Sequence, residues 1–195
     1  MQEQLEKTME DLQEDVAAAK KALLDARKRE PRTEVMDYEF LAWGGTTVLL
    51  SELFGEKNDL IIVHNMGESC PYCTLWADGL NGQAGHITKR TAFVVASPDD
   101  PEKQERFARQ RGWTFPMISV KNSSFTKDMG FEPNPGALWP GYTTFIRDEG
   151  RIYRVTSAHF GPGDDYCAPW PMFEHLADGI NGWEPDNSYS PTITR

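Results

Sequence analysis

The sequence predicts an α/β fold with a central mixed sheet, and three observations carry that prediction. Residues 60–63 (Leu60-Ile61-Ile62-Val63) and 91–96 (Thr91-Ala92-Phe93-Val94-Val95-Ala96) are largely apolar runs, the pattern of strands covered on both faces. Residues 72–81 between them read as a helix, and a right-handed crossover through that helix makes the two strands parallel neighbours. Residues 142–147 and 151–156 flank Asp148-Glu149-Gly150, a tight-turn signal that adds an antiparallel hairpin.

The 195 residues suffice for one domain with a sizeable core and an appendage. We expect a helical extension over residues 1–30, an α/β domain over 31–183 and a loosely held tail over 184–195. Hydrophobic residues make up 39 % of the chain and its mean hydropathy is −0.57. No apolar run approaches the length of a membrane span. A formal charge of −10 and a pI of about 4.9 argue against nucleic acid or an anionic membrane as a partner. The acidic N-terminus lacks the pattern of a signal peptide, and three cysteines do not make a disulfide scaffold. Both points place the chain in a reducing, cytoplasmic setting.

Taken in order, Leu5, Met9, Leu12, Val16, Ala19, Leu23 and Ala26 recur at alternating steps of four and three. That is a coiled-coil seam, so residues 1–29 read as one helix. The seam either packs on the domain or pairs two chains as a homodimer, and the sequence leaves both open. Pro31 ends the helix. Residues 38–43 and 46–50 read as strands turned at Gly44-Gly45. The helix 72–81 is expected to stop at Gly79 and Gly82, with Asn81 suited to a left-handed position. Ser97-Pro98-Asp99-Asp100 can cap a helix that starts near Pro101 and stops at Gly112. Residues 115–120 form a third short strand, 122–139 loops and 172–180 a last helix. Asp78-Gly79-Leu80-Asn81-Gly82 and Asp178-Gly179-Ile180-Asn181-Gly182 nearly repeat, which we read as shared helix-stop chemistry.

The functional signal is Cys70-Pro71-Tyr72-Cys73, which follows the run ending in Val63-His64 and opens a helix. A helix N-terminus presents unpaired N–H groups and a partial positive charge. A cysteine held there loses its proton more readily, and the thiolate is the nucleophile. A second cysteine one turn on can then resolve a mixed disulfide. Pro71 fits the first helical turn, where its missing N–H costs nothing. Two other readings stand beside this one. The pair can be small, buried and inert, or it can be half of a zinc site completed by His64, His86, His159, His175 or carboxylates. Our expectation is no metal and no cofactor. Cys167, in a loop-like stretch, is read as a spectator.

This order of elements resembles the thioredoxin fold, and the chain is similar to the bacterial thioredoxin-like family known as domain of unknown function 899. The resemblance rests on Ala26-Arg27-Lys28-Arg29-Glu30-Pro31, Leu53-Phe54-Gly55, Leu60-Ile61-Ile62-Val63-His64, residues 70–79, Gly112-Trp113-Thr114-Phe115-Pro116 and Phe145-Ile146-Arg147-Asp148. It implies a thioredoxin-like three-layer fold with a central mixed sheet, an N-terminal helical extension and a β-hairpin. It also implies a thiol–disulfide oxidoreductase acting on a protein or low-molecular-weight disulfide. Cys70 would attack and Cys73 resolve. Pro71, Tyr72, Tyr142 and Thr143 would be the substrate-binding residues.

Three departures from thioredoxins matter. His64 stands where they carry a buried aspartate, six residues before the first cysteine; it is either a proton acceptor or a core histidine. The Cys-Pro-Tyr-Cys core is that of glutaredoxins, which makes glutathione an option. Tyr142 rather than a proline precedes Thr143, which weakens the case for extended peptide substrates. Glu68 is expected to raise the Cys70 pKa, because a like charge disfavours the thiolate. Residues 112–116 are also similar to peroxiredoxin-like chains, but no Thr-x-x-Cys precedes Cys70, and the sequence does not point to a peroxidase. A non-enzymatic binding scaffold is the alternative function.

Overall fold

The computed structural model of the chain describes residues 7–188. The chain divides into two units, residues 1–32 and 33–195. In the first, helix α1 spans Met9–Arg29. Its start is a capping box: Thr8 Oγ1 accepts the Asp11 N–H at 3.2 Å, and the Asp11 carboxylate accepts the Thr8 N–H at 2.8 Å. Arg27, Lys28 and Arg29 occupy the last turn, where cations complement the helix dipole. No residue of α1 is buried. Met9, Leu12, Val16 and Leu23 of the heptad seam are exposed; Leu5 lies outside the described residues.

Among the described residues of the second unit, eight strands form one mixed sheet in the order β1-β8-β7-β4-β5-β6-β2-β3. They are β1 (Thr33–Val35), β2 (Glu39–Ala42), β3 (Thr47–Leu49), β4 (Asp59–His64), β5 (Ala92–Ser97), β6 (Met117–Ser119), β7 (Gly141–Asp148) and β8 (Arg151–His159). β4 runs parallel to β5, and β5 to β6. These are the two junctions crossed by helices, α2 (Pro71–Arg90) and α3 (Pro101–Arg111), as the crossover argument requires. Both expected hairpins form, β2–β3 and β7–β8. In the second, Glu149 and Gly150 both take positive φ, 47° and 78°, which matches the turn to the twist of the strands.

Alternation along the central strands divides the core into two layers. Leu60, Ile62, Val94 and Ala96 face one side, with Phe40, Phe54, Phe125, Phe131 and Phe145. Val63, Phe93 and Val95 face the other, with Trp76 and Ala77 of α2, Ala108 of α3 and Trp170 of α5 (Pro169–Glu174). Phe125 belongs to a single helical turn, α4 (Phe125–Asp128), within the stretch read as loops.

The structure corrects three expectations and adds a strand. α2 does not stop at Gly79 or Gly82 but runs on to Arg90. Cys73, Trp76, Ala77, Leu80, Ala84 and Ile87 place an apolar stripe along it. Burying that stripe outweighs about 1 kcal/mol for each interior glycine. The near-repeat therefore is not shared stop chemistry: residues 78–82 lie inside a helix. The last helix covers 169–174 and not 172–180, and Gly179, at φ 61°, keeps any right-handed helix from reaching Ile180. Strand β1, unforeseen in the sequence, pairs with β8.

Asp78 on α2 ties the two crossover helices together. Its carboxylate accepts from Arg111, only 7 % exposed, and from Trp113 Nε1 at 2.8 Å. Replacing Asp78 with alanine takes this carboxylate from a buried guanidinium and should cost about 3 kcal/mol. Urea unfolding of Asp78→Ala against the parent chain checks this, and an unchanged midpoint would refute it.

Candidate functional site

The site forms where β4 ends at the centre of the sheet. Residues 65–70 make the loop that delivers the chain to α2, and side-chain acceptors shape it. Asn65 N–H bonds the Ala96 carbonyl at 2.9 Å, continuing the β4–β5 ladder by one residue. The Asn65 side chain accepts the Gly67 N–H at 2.7 Å, an Asx turn. Gly67 sits at φ 103°, and a Cβ there would stand 2.7 Å from an Asp99 carboxylate oxygen. That φ demands glycine, and the close approach to Asp99 adds to the demand. The same oxygen, Asp99 Oδ2, accepts the Glu68 N–H at 2.7 Å, so the β5–α3 turn braces the loop.

Cys70 is the N-cap residue of α2. Its sulfur accepts the Cys73 N–H at 3.1 Å, the place an aspartate or serine oxygen takes in an ordinary cap. The Cys73 thiol adds a hydrogen bond to the same sulfur. That bond is the main reason the Cys70 thiol falls to about 7, with the Cys73 and Tyr72 backbone N–H groups assisting and burial opposing. Cys73 is pushed strongly up by the same pairing and by burial. Its sulfur accepts the Met66 N–H at 3.4 Å. Cys70 is partly exposed and Cys73 is 2 % exposed. All three cysteines are free thiols. The pair is thus polarised into an accessible thiolate and a buried thiol.

Glu68 does not govern Cys70 as expected. Its carboxylate lies 3.4 Å from Lys103 Nζ and 3.6 Å from Arg106, and the Cys70 thiol falls despite it. His64 lies at the sheet end, 3 % exposed. Its ring stacks on Phe131 with centroids 3.9 Å apart. Nε2 stands 2.9 Å from Thr143 Oγ1, which stands 3.1 Å from Ser157 Oγ. Burial, His159 and Arg154 push the His64 pKa down to about 3, so the ring is neutral. His64 and Cys73 border one narrow crevice with Trp76 and Phe160.

The other expected residues separate. Pro71 and Tyr72 form the first turn of α2. Thr143 is fully buried beneath His64. Tyr142 lines a different space, an open cavity of about 450 Å³ with Leu80, Ile87, Phe160 and Tyr166. Cys167 is buried, its thiol raised to about 11 by burial and Asp164. Among the described residues, no group of three or more His, Cys, Asp or Glu side chains is arranged to hold a metal ion, and no helix is long and apolar enough to cross a membrane.

The sequence reading missed Asn65, Asp99 and the segment after α5. Asn65 two residues before Gly67 was the available sign of an Asx turn. Nothing local marks Asp99 as a brace for a loop thirty residues away. The segment after α5 lies against the site: Pro185 is buried, and Asn187 Nδ2 donates to the Glu68 carbonyl at 3.2 Å. Residues 189–195 of the expected tail lie outside the described residues.

Comparison with known proteins follows the same lines. The family model described as "Bacterial protein of unknown function (DUF899)" matches residues 2–188. No curated protein matches the chain. Among solved structures, the peroxidoxin BcpB of Mycobacterium tuberculosis is 25 % identical, over 67 % of this chain and 86 % of that one, with a TM-score of 0.54. A bacterioferritin comigratory protein of Xanthomonas campestris is 17 % identical over the same shares, with a TM-score of 0.53. A hypothetical protein from Sinorhizobium meliloti 1021 is 19 % identical over 84 % of this chain and 91 % of that one, with a TM-score of 0.51. The α/β domain is thioredoxin-like, as the sequence implied.

Two outcomes follow from the site. Alkylation of Cys70 by iodoacetamide should speed up about tenfold per pH unit below about pH 7 and level off above it, because only the thiolate reacts. In Cys73→Ala the midpoint should rise toward the usual thiol value of about 8.5; peptide mass spectrometry after timed alkylation reads both. The second outcome concerns His64, whose folded pKa lies below its unfolded value of about 6.5. Below that value the unfolded chain takes up a proton that the folded chain refuses. The stabilisation is therefore complete above about pH 6.5 and lost as pH falls toward about 3. Between about pH 6.5 and about pH 4.5 the parent chain should lose roughly 2 kcal/mol more than His64→Gln. Denaturant unfolding at the two pH values measures the difference, and equal losses would contradict it.

Proposed function

The chain belongs to the DUF899 family of bacterial proteins, and we propose that it is a thiol–disulfide oxidoreductase working through Cys70 and Cys73. The observation that carries the reading is the polarised pair at the start of α2, one thiol lowered to about 7 and its neighbour raised.

The chemistry runs in two exchanges. The Cys70 thiolate attacks one sulfur of a substrate disulfide; a bond from Cys70 Sγ to that sulfur forms, the substrate S–S bond breaks, and one substrate thiolate leaves. The Cys73 thiol then gives up its proton to the departing thiolate or to water. The resulting thiolate attacks Cys70 Sγ, closes the Cys70–Cys73 disulfide and releases the second substrate sulfur as a thiolate, which takes a proton from water. The substrate is reduced by two electrons and the dithiol oxidised by two. An external thiol reductant reverses the second state. Until Cys70 is consumed, the hydrogen bond from Cys73 keeps its thiolate stable. Once it is consumed, that bond is gone and Cys73 is freed to attack. His64 is too weak a base for this proton, and its part is to hold the strand end through Thr143.

A thiol peroxidase is the second reading, favoured by the likeness to a peroxidoxin at 25 % identity. There the Cys70 thiolate would take one oxygen from a hydroperoxide, leaving an alcohol or water and a sulfenic acid, and Cys73 would condense with it to the same disulfide and release water. We further propose a cytoplasmic setting and a homodimer through residues 1–29, supported by the exposed seam of α1.

Titration of the purified protein in graded thiol/disulfide buffers, read by alkylation and intact mass, should give one two-electron transition confined to Cys70 and Cys73. Cys70→Ser should lose both that transition and all disulfide exchange while keeping the parent circular dichroism. Full exchange activity in Cys70→Ser would sink the assignment. Faster oxidation by hydrogen peroxide than by any disulfide would move it to the second reading.

A further inference from the structure

Two features decide what can reach Cys70: the backbone around it, and the segment that follows α5. An extended peptide binds by adding a strand, which needs unpaired backbone N–H and C=O groups. Most of the loop's N–H groups are already taken. The sheet ends at β1 and β3, whereas the cysteines follow β4, three and four places in from those ends. Near the site, the Pro140 carbonyl accepts the Phe160 N–H at 2.9 Å, and Trp139 N–H bonds the Phe131 carbonyl at 2.8 Å. The N–H groups of Asn65, Met66, Gly67, Glu68 and Cys70 are each engaged within the chain. The Glu68 carbonyl is taken by Asn187.

The segment carrying Asn187 is a strap. Trp183 packs edge-on against Phe173 and Trp170, with centroids 4.9 and 5.7 Å apart. Trp170 is itself buried, with its ring 6.2 Å from that of Tyr72 between the two cysteines. Pro185 is buried. Between this strap and the first turns of α2 lies a cavity of about 290 Å³, lined by Pro71, Leu75, Trp183, Glu184, Pro185 and Asp186. Its size is that of a small-molecule pocket.

We infer that the dithiol takes low-molecular-weight disulfides and excludes protein disulfides, and that residues 183–187 set this choice. The inference rests on the oxidoreductase reading and narrows it to one substrate class. A small disulfide needs no strand pairing, and the cavity beside Pro71, the residue after Cys70, is large enough to admit one. A folded protein must bring a backbone segment to Cys70, and the strap crowds that approach by its contacts with the loop before Cys70 and the first turns of α2.

The test uses the reduced chain in single turnover, with hydroxyethyl disulfide as the small substrate and insulin as the protein one. Closure of the Cys70–Cys73 disulfide is read by acid quench, alkylation and mass. Two variants are compared: a chain ending at Glu184, and the full chain with Pro185→Gly and Asn187→Ala, which keeps its length. At equal disulfide concentration the parent should oxidise at least about tenfold faster with hydroxyethyl disulfide than with insulin. Both variants should raise the insulin rate about tenfold, while the hydroxyethyl disulfide rate should not rise, because both open the pocket wall at Pro185. Equal rates for the two substrates in the parent overturn the inference, as does an unchanged ratio in the full-length variant. A dithiol that neither disulfide oxidises in any form overturns the oxidoreductase reading and this inference with it.

Discussion

The structure of the site depends on one hydrogen bond, from the Cys73 N–H to the Cys70 sulfur at the first turn of α2. It makes a sulfur do the work of a helix cap. An uncharged thiol is a poor acceptor; a thiolate is a good one, because charge-assisted hydrogen bonds are roughly twice as strong as neutral ones. The helix start is therefore better satisfied when Cys70 is ionised, and local structure and reactivity favour the same protonation state. The cost falls on Cys73, whose buried thiol must hold its proton to keep donating to the same sulfur. One charge shared between two sulfurs yields a nucleophile and a reserve.

That bond requires α2 to start at a fixed place and direction, and the surroundings supply both. Asn65 extends the central ladder, Gly67 bends the loop against Asp99, and Asp99 holds the Glu68 N–H. Further along, Asp78 anchors the helix to Arg111 and Trp113. Gly141 plays the matching role across the sheet. It pairs with His64 in the β4–β7 ladder, and a Cβ on it would meet the Ala158 carbonyl at 2.3 Å and Phe131 at 2.4 Å. Phe131 can therefore stack on His64 only because residue 141 has no side chain. The buried imidazole belongs to that packing, which explains why it stays neutral.

What the sequence made legible were features fixed by local pattern. The apolar runs of β4 and β5, the Glu149-Gly150 turn and the Cys-Pro-x-Cys helix start each carry their cause within a few residues. Features fixed by packing stayed hidden. Gly79 and Gly82 looked like stops because their propensity is local, while the stripe that keeps α2 going is satisfied only once Trp76 and Ala77 meet β4 and β5. Thr143 looked like a substrate contact from its place beside Tyr142, but alternation along β7 sends neighbouring side chains to opposite faces, so Thr143 goes under His64 and Tyr142 into an open cavity. The strap was least visible. Its Pro and Asn residues read as a loose tail, and only the tertiary structure brings Asn187 to a carbonyl 119 positions earlier.

A shared fold carries less of the chemistry than the few residues around the sulfur do. A thioredoxin-like sheet delivers a helix N-terminus to the end of its central strand whatever reaction follows. A hydroperoxide must bring an oxygen to the thiolate, and the residues that set its fate are those polarising that oxygen. A disulfide must find a resolving thiol within reach, and its fate is set by the residue one turn on. In this chain the group in contact with the Cys70 sulfur is Cys73, through both its N–H and its thiol, while the cations near the loop, Lys103 and Arg106, are turned to Glu68. These contacts supply a resolving thiol and, with both cations turned to Glu68, leave neither aimed at an incoming peroxide oxygen, and they support disulfide exchange as the first of the two proposed readings.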